Sequence, residues 1–259
     1  MPELPEVERA AEWLRAWVVG RRVVALEVLH AAVGRALPTD ANARLHGRAV
    51  VAVERRGKHQ FVRLDDGQCL HVHFRMAGDW VGGAGADALP RHARAVLRLD
   101  DASWVALVDP RALASLAIHG AEDTGPVLGP DATDPTLDVP ALRAALRTRR
   151  GPIKPVLLDQ RVLAGVGNIY AAEGLFRAGI HPTTPANQIG PVRLARLLDG
   201  LRAALDAGTG SGRYGTGEPD EGLRVYGREG EPCVTCGGVV RRIVQAGRST
   251  YFCARCQRR

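Results

Sequence analysis

Four of the five cysteines fall in two pairs, Cys233-Val-Thr-Cys236 and Cys253-Ala-Arg-Cys256, separated by sixteen residues. Two such knuckles at that spacing supply four thiolates to a tetrahedral zinc ion. Between them Val239 to Gln245 and Arg248 to Phe252 read as two strands turning at Ala246-Gly247, so the knuckles meet across a ribbon holding one structural Zn2+. Disulfides do not suit an intracellular chain, and a redox pair normally occurs once beside a βαβ pattern that is missing here. Cys69 lies in the alternating run Cys69-Leu-His71-Val-His73-Phe74 and reads as a buried free thiol. Alternation on one strand face makes His71 and His73 structural residues before metal ligands. Lysine occurs only at Lys58 and Lys154 in a chain that otherwise uses arginine. A lysine kept in such a chain suits a place that needs a compact, deprotonatable amine, with codon bias as the other explanation.

The elements that must position these groups follow from periodicity. Val7, Ala10, Ala11, Leu14 and Trp17 mark an amphipathic helix over Val7 to Val19, stopped by Gly20. Strand-like runs recur at Arg22 to Leu29, Ala49 to Glu54, His59 to Leu64, Cys69 to Phe74, Ala95 to Leu99 and Trp104 to Val108. Short strands with hairpin spacing imply a sandwich or barrel. Gly120 to Pro140, rich in Gly, Pro and acidic residues, reads as a linker. Helices follow at Val139 to Arg147 and at Pro191 to Ala207, the second with Leu194, Leu197, Leu198, Leu201 and Leu205 on one face and Gly208 beyond it. Between them Pro155 to Phe176 reads as helix, tight turns, helix, the turn Gly165-Val-Gly167 delivering Asn168 as N-cap. Exposed N–H groups at that junction suit a phosphate, and a simple helical hairpin is the alternative. Gly208 to Gly222 reads as a mobile glycine-rich loop. The fold class is therefore α+β and multidomain: a β-sandwich with a leading helix over 1–120, a linker over 121–140, a helix-two-turns-helix domain over 141–222 and a zinc ribbon over 223–259.

With 259 residues, 46% of them hydrophobic and 24% charged, the chain can bury real cores, which excludes disorder as its main state. Without an apolar run of spanning length, and with carboxylates where a signal peptide carries positive charge, the expected location is cytoplasmic, nucleoid-associated if bacterial, with no membrane partner. The net charge is +7, and from Arg224 onward eight arginines face only Glu229 and Glu231. Almost the whole excess thus lies at the C-terminal end, which suits a polyanion such as nucleic acid or a solvated basic face.

Four segments, in order and spanning nearly the whole chain, resemble the Fpg/Nei family of DNA glycosylases: Met1-Pro-Glu-Leu-Pro-Glu-Val-Glu8; Arg55-Arg-Gly-Lys58; Leu158-Asp-Gln160 through Gly165-Val-Gly-Asn-Ile-Tyr170; and Val225-Tyr-Gly-Arg228 running into the ribbon with Gly247-Arg-Ser-Thr-Tyr-Phe-Cys253. The first is most like the formamidopyrimidine-DNA glycosylase (Fpg) branch. The resemblance implies a monomeric DNA glycosylase and AP lyase of base excision repair, acting on damaged double-stranded DNA. It implies removal of oxidised or ring-opened bases through an N-terminal proline Schiff base, then β,δ-elimination. A paralogue for other lesions, such as oxidised pyrimidines or bulky adducts, and a non-catalytic damaged-DNA-binding protein are the rivals. The second needs neither Pro2 nor Lys58.

The residues support that chemistry. Removal of Met1, which a small second residue permits, leaves Pro2 as a secondary amine far less basic than a lysine, hence partly unprotonated near neutrality. Glu3, beside it, is where a general acid must sit. By resemblance Glu6 positions the amine, Lys58 is the β-elimination acid and phosphate contact, and Arg248 binds phosphate and assists δ-elimination. His92, Arg111, Lys154, Asn168 and Met76 fall on DNA-contact positions. Leu113 stands where the family carries an aromatic wedge, which leaves the lesion preference open.

Overall fold

Apolar–polar alternation through the first half of the chain resolves into eight strands: β1 (Val23–Val28), β2 (Val50–Arg56), β3 (His59–Leu64), β4 (Cys69–His73), β5 (Asp79–Ala84), β6 (Ala93–Leu99), β7 (Ser103–Val108) and β8 (Ser115–His119). They form two antiparallel four-stranded sheets, in the orders β1-β6-β7-β5 and β2-β3-β4-β8. The fold is that of a computed structural model, which describes residues 1–121, 125–211 and 222–259. Contacts group them into two units, one of Met1–Pro2 and Glu6–Val127, the other of Glu3–Pro5 and Leu128–Arg259.

In the first unit the inner faces of both sheets interdigitate, Leu97 and Leu107 from one meeting Val53, Val62, Leu70 and Leu116 from the other. Helix α1 (Leu4–Val18) adds Val7, Ala10 and Leu14 to this core. Arg15 donates to the carbonyl of Val53 on β2, and Glu8 pairs with Arg55. The helix begins at Leu4, three residues before the apolar periodicity starts. Pro5 is at home in a first helical turn, whose N–H groups lack intrahelical acceptors, and this places Glu6 in the same turn. A short helix, α2 (Ala41–Leu45), lies between β1 and β2.

Six strands match the expected runs; β5 and β8 carried no such signal. Glycines weaken a strand pattern, yet in β5 a Cβ on Gly83 would lie 2.2 Å from the indole of Trp104 on the neighbouring β7. The glycine serves close approach of a large ring. β8 is only five residues long, with Leu116 as its single buried residue.

The second unit contains α3 (Val139–Leu146), α4 (Ile153–Leu157), α5 (Asn168–Arg177), α6 (Pro191–Ser211) and a hairpin of β9 (Val240–Gln245) and β10 (Arg248–Cys253). The leucine stripe of α6 joins Leu163, Val166, Ala171 and Leu175 in its main core. Much of the expected linker belongs to this unit too, with Ala132 and Leu137 buried in that core. Gly208 does not end α6: the helix continues to Ser211, and a Cβ at Gly208 would lie 2.1 Å from the Tyr170 hydroxyl on α5. Of the expected loop Gly208 to Gly222, residues 212–221 lie outside the described residues.

One carboxylate ties α5 to the segment leading into the ribbon. Glu173 is 1% exposed and accepts from the backbone N–H groups of Arg224, Val225 and Tyr226 at 2.8–3.0 Å, while Arg177 donates to it at 2.7 Å. Removing one partner from such a network strands the others, at a cost of about 3–5 kcal/mol. Glu173→Ala should therefore lower the urea midpoint of the second unit strongly, and Glu173→Gln, which keeps one acceptor oxygen, less so.

Candidate active site

The turn before α5 is shaped by Gln160, whose side chain donates to the carbonyl of Val166 at 2.9 Å and accepts from the N–H of Gly165 at 2.9 Å. This bracing fixes the turn that leads into the first amides of α5. Asn168 is not the N-cap expected for this helix. Gly167 occupies that position and has no side chain to offer, so Asn168 is the first helical residue. The missing cap comes from the other end of the sequence: Glu3 accepts from the N–H groups of Ile169 at 3.0 Å and Tyr170 at 3.3 Å. A helix N-terminus favours negative charge there. Glu3 is 2% exposed, and a Cβ on Gly167 would lie 2.1 Å from its carboxyl carbon, so only glycine leaves room for the carboxylate. Leu4 continues into the core of the same unit.

Released from capping, Asn168 faces the ribbon. Its Oδ1 accepts from Lys154 Nζ at 2.5 Å, and its Nδ2 donates to the carbonyl of Ser249 at 3.1 Å and to the Tyr226 hydroxyl at 3.3 Å. Lys154 is 1% exposed and donates also to the carbonyl of Ser249 at 3.0 Å and to Thr250 Oγ1 at 2.9 Å. An ammonium has three N–H donors, and all three of these are directed at protein acceptors. Burial lowers its pKa to about 8; the Glu3 carboxylate opposes that shift and Arg248 adds to it. Lys154 and Asn168 thus join α5 to β10, beside the exposed Arg248 at the start of that strand. Tyr226, Thr250 and Gln160 lie inside the segments that carry the resemblance but were given no role from the sequence, because nothing local shows which groups they bond.

The ribbon hairpin turns at Ala246-Gly247, both with positive φ, and pairs Arg248 with Gln245 through Cys253 with Val240. It brings the four cysteine sulfurs within 4.8 Å of one another, the only such convergence among the described residues. Cys233 and Cys256 sulfurs are 3.8 Å apart, and those of Cys236 and Cys253 3.5 Å. A disulfide would need ~2.05 Å, whereas four thiolates at ~2.3 Å from zinc form a tetrahedron of edge ~3.8 Å. The donor set fits one zinc, whose contribution is to cross-link the two knuckles.

In the first unit Pro2 is buried at the chain terminus, Glu6 sits in the first turn of α1 and Lys58 lies in the two-residue loop between β2 and β3, 7% exposed. Asp109, fully buried, accepts from the N–H groups of Arg111, Leu113 and Ala114 at 2.6–2.9 Å. This fixes a loop on which Arg111 and Leu113 are exposed. Arg94 donates to the Asp109 carbonyl at 2.7 Å and lies 3.4 Å from the His92 ring, and Asp109 N–H donates to His92 O, so the two loops form one patch. Met76 is also exposed.

A sandwich, a helix-two-turns-helix junction and a four-cysteine ribbon in this order are the build of the helix-two-turns-helix DNA glycosylases. Residues 1–116 match the formamidopyrimidine-DNA glycosylase N-terminal domain, 128–218 its H2TH domain, and 230–259 the zinc finger found in FPG and IleRS. The chain is 40% identical over 274 residues to the formamidopyrimidine-DNA glycosylase of Rhizorhabdus wittichii, covering 100% of both, and 40% identical over 261 residues to that of Moorella thermoacetica, covering 94% of both. It superposes on the Lactococcus lactis enzyme bound non-covalently to DNA containing an AP site with a TM-score of 0.90, at 30% identity and full coverage of both chains. The chain belongs to the formamidopyrimidine-DNA glycosylase family.

Two outcomes follow from this geometry. Gly167→Ala should displace Glu3 from the α5 amides and reduce cleavage of a lesion-containing duplex at least tenfold, read by gel under single-turnover conditions. Zinc removal, or Cys236→Ala, should weaken duplex binding while the first unit keeps its melting transition, since the ribbon belongs to the other unit. Elemental analysis should return one zinc per chain.

Proposed function

We propose that this chain is a monomeric DNA glycosylase and AP lyase of base excision repair, acting on oxidised or ring-opened bases in duplex DNA. The observation that carries the reading is the seating of Glu3: a buried carboxylate fixed by two α5 amides, one residue from the only position where Met1 removal creates a secondary amine. The Pro2 nitrogen attacks C1′ of a flipped nucleotide and the C1′–base bond breaks; the N–H proton lost by Pro2 passes through the Glu3 carboxyl to the departing base or to the sugar O4′, water protonates the other, and breakage of the C1′–O4′ bond leaves the iminium. The resulting iminium is cationic because a secondary amine has no second proton to lose. It acidifies C2′–H; loss of that proton expels the 3′ phosphate, and a second elimination expels the 5′ phosphate.

Glu6 orients the Pro2 amine, Lys58 contacts phosphate and assists β-elimination, and Arg248 holds phosphate and assists δ-elimination. His92, Arg111 and Leu113 contact the duplex from the paired loops, Met76 from the turn after β4, and Asn168 from the α5 junction. Lys154 acts from behind, as the residue that positions Asn168 and β10. The match to Lactococcus lactis structures with AP-site DNA supports this assignment.

Borohydride added to a reaction on an abasic duplex should reduce the iminium and trap one chain per DNA. Peptide mapping should place the adduct on Pro2. Fully active protein that retains Met1 by intact mass would overturn the nucleophile assignment.

A further inference from the structure

Alternation along β2 puts an arginine where the sandwich calls for an apolar side chain. Val53 is in the core, and Arg55, two residues on and so on the same face, is paired across the sheet with Gln60. Gln60 is 1% exposed, and its amide oxygen accepts from the indole of the core residue Trp80 at 2.9 Å. The Arg55 side chain is only 9% exposed. A charge at that depth is tolerated when it is paired and hydrogen-bonded, and the chemistry above gives this one no task.

Two of its partners define a task. Arg55 Nε donates to the Glu8 carboxylate on α1, and Nη1 donates to the carbonyl of Gly57 at 3.0 Å. The other Glu8 oxygen lies 4.0 Å from Arg15, whose guanidinium donates to the carbonyl of Val53 at 2.9 and 3.1 Å. Helix α1 is thus bonded to the end of β2 at two levels.

The Gly57 carbonyl is a particular acceptor. β2 ends at Arg56 and β3 starts at its pairing partner His59, so Gly57 and Lys58 are the two central residues of a hairpin turn. Gly57 has φ +58° while Lys58 stays out of the left-handed region, which is the pattern of a type II′ turn. The peptide between the central residues is the part of such a turn that can swing: turning it over gives type I′, reverses the Gly57 carbonyl and carries φ of Lys58 to positive values. The oxygen that Arg55 holds belongs to that peptide. Fixing its plane fixes the direction in which the Lys58 side chain leaves the backbone. Because the same guanidinium is held by Glu8, the plane is set relative to α1, which carries Glu6 in its first turn and starts two residues after Pro2. Pro2, Glu6, Glu8, Arg55 and Lys58 all belong to the first unit. An ion pair that only tied helix to sheet would need the Glu8 contact alone.

We propose that Arg55 is a positioning residue for Lys58: bridging Glu8 and the Gly57 carbonyl, it holds the turn peptide so that the lysine amine keeps its place relative to Glu6 and Pro2. The proposal rests on the reading of Lys58 as the residue that assists β-elimination. It separates two steps, since iminium formation at Pro2 does not need the clamp and elimination does.

The test uses the full-length protein and a duplex with one abasic site. Arg55→Lys keeps a positive charge beside Glu8 but replaces the planar fork with a single ammonium. Two rates are read under single-turnover conditions: the initial rate of borohydride trapping, which follows the iminium, and strand nicking without borohydride, which follows elimination. The variant should be trapped within about twofold of wild type and nick roughly tenfold more slowly, a misplaced reacting group being worth up to about a hundredfold. Because Arg55 acts through Lys58, adding Arg55→Lys to Lys58→Ala should slow nicking by less than about twofold further, a non-additivity that general loss of stability does not produce. Glu8→Gln, which keeps an acceptor without the charge, should separate the two rates in the same direction and serves if urea melts show that Arg55→Lys does not fold. Equal loss of trapping and nicking, unchanged nicking, or additive effects in the Lys58→Ala background each overturn the clamp. Lys58→Ala that nicks at the wild-type rate, or wild type that is never trapped, overturns instead the functional reading on which the clamp rests, and the clamp with it.

Discussion

The carboxylate of Glu3 in the amide cup of α5 is the interaction on which the arrangement hangs. A helix start leaves backbone donors that must find acceptors; here the acceptor comes from 166 residues away and is the chain's third residue. Glu3 to Pro5 are thereby grouped with the second unit, while α1 runs on into the first. The same helix receives the ribbon lead through Glu173 and touches β10 through Asn168. One ten-residue helix thus organises three segments that are far apart in sequence, and it does so with buried carboxylate and amide groups whose partners are mostly backbone. Backbone partners persist under side-chain substitution, so the register of these segments is set by the path of the chain.

Lys154 illustrates what burial makes of a residue singled out for its type. Its rarity suggested a compact, deprotonatable amine and the resemblance implied contact with DNA; its three donors are directed at Asn168, Ser249 and Thr250. A buried ammonium is tolerable only when its donors are satisfied. Here that requirement converts the lysine into a joint between helix and ribbon.

Legibility in the sequence followed the range of the interactions. The knuckles, the ribbon hairpin and six sandwich strands were readable because spacing and alternation are local, and the leucine stripe of α6 likewise. β5 was hidden because Gly83 answers to Trp104 on another strand, and α6 outran its expected stop because Gly208 answers to Tyr170 on another helix. Asn168 looked like a cap because nothing local reveals that Glu3 fills that place. The terminal Pro2-Glu3 pair was legible as chemistry through resemblance, whereas its seating depended on contacts that no window of sequence contains. The contacts among three histidines of β3, β4 and β8 had the same character: His71 and His73 were visible as alternating residues, but His59 Nδ1 and His119 Nε2 meet the His71 ring, at 2.8 and 2.9 Å, only once three strands are in register.

With Arg111 and Leu113 meeting the duplex as proposed, the Asp109 loop has a consequence for the time spent on undamaged DNA. Three amides bonded to one buried carboxylate freeze the backbone that carries Arg111 and Leu113. The conformational entropy of that loop is lost during folding, so an encounter with a duplex requires no further ordering of it. A probe rigid in advance can be offered to a base step and withdrawn with little cost in either direction. Discrimination then falls on how readily the step itself opens, which makes the mechanical weakness of a damaged pair, ahead of its chemical outline, the first property this surface would sense.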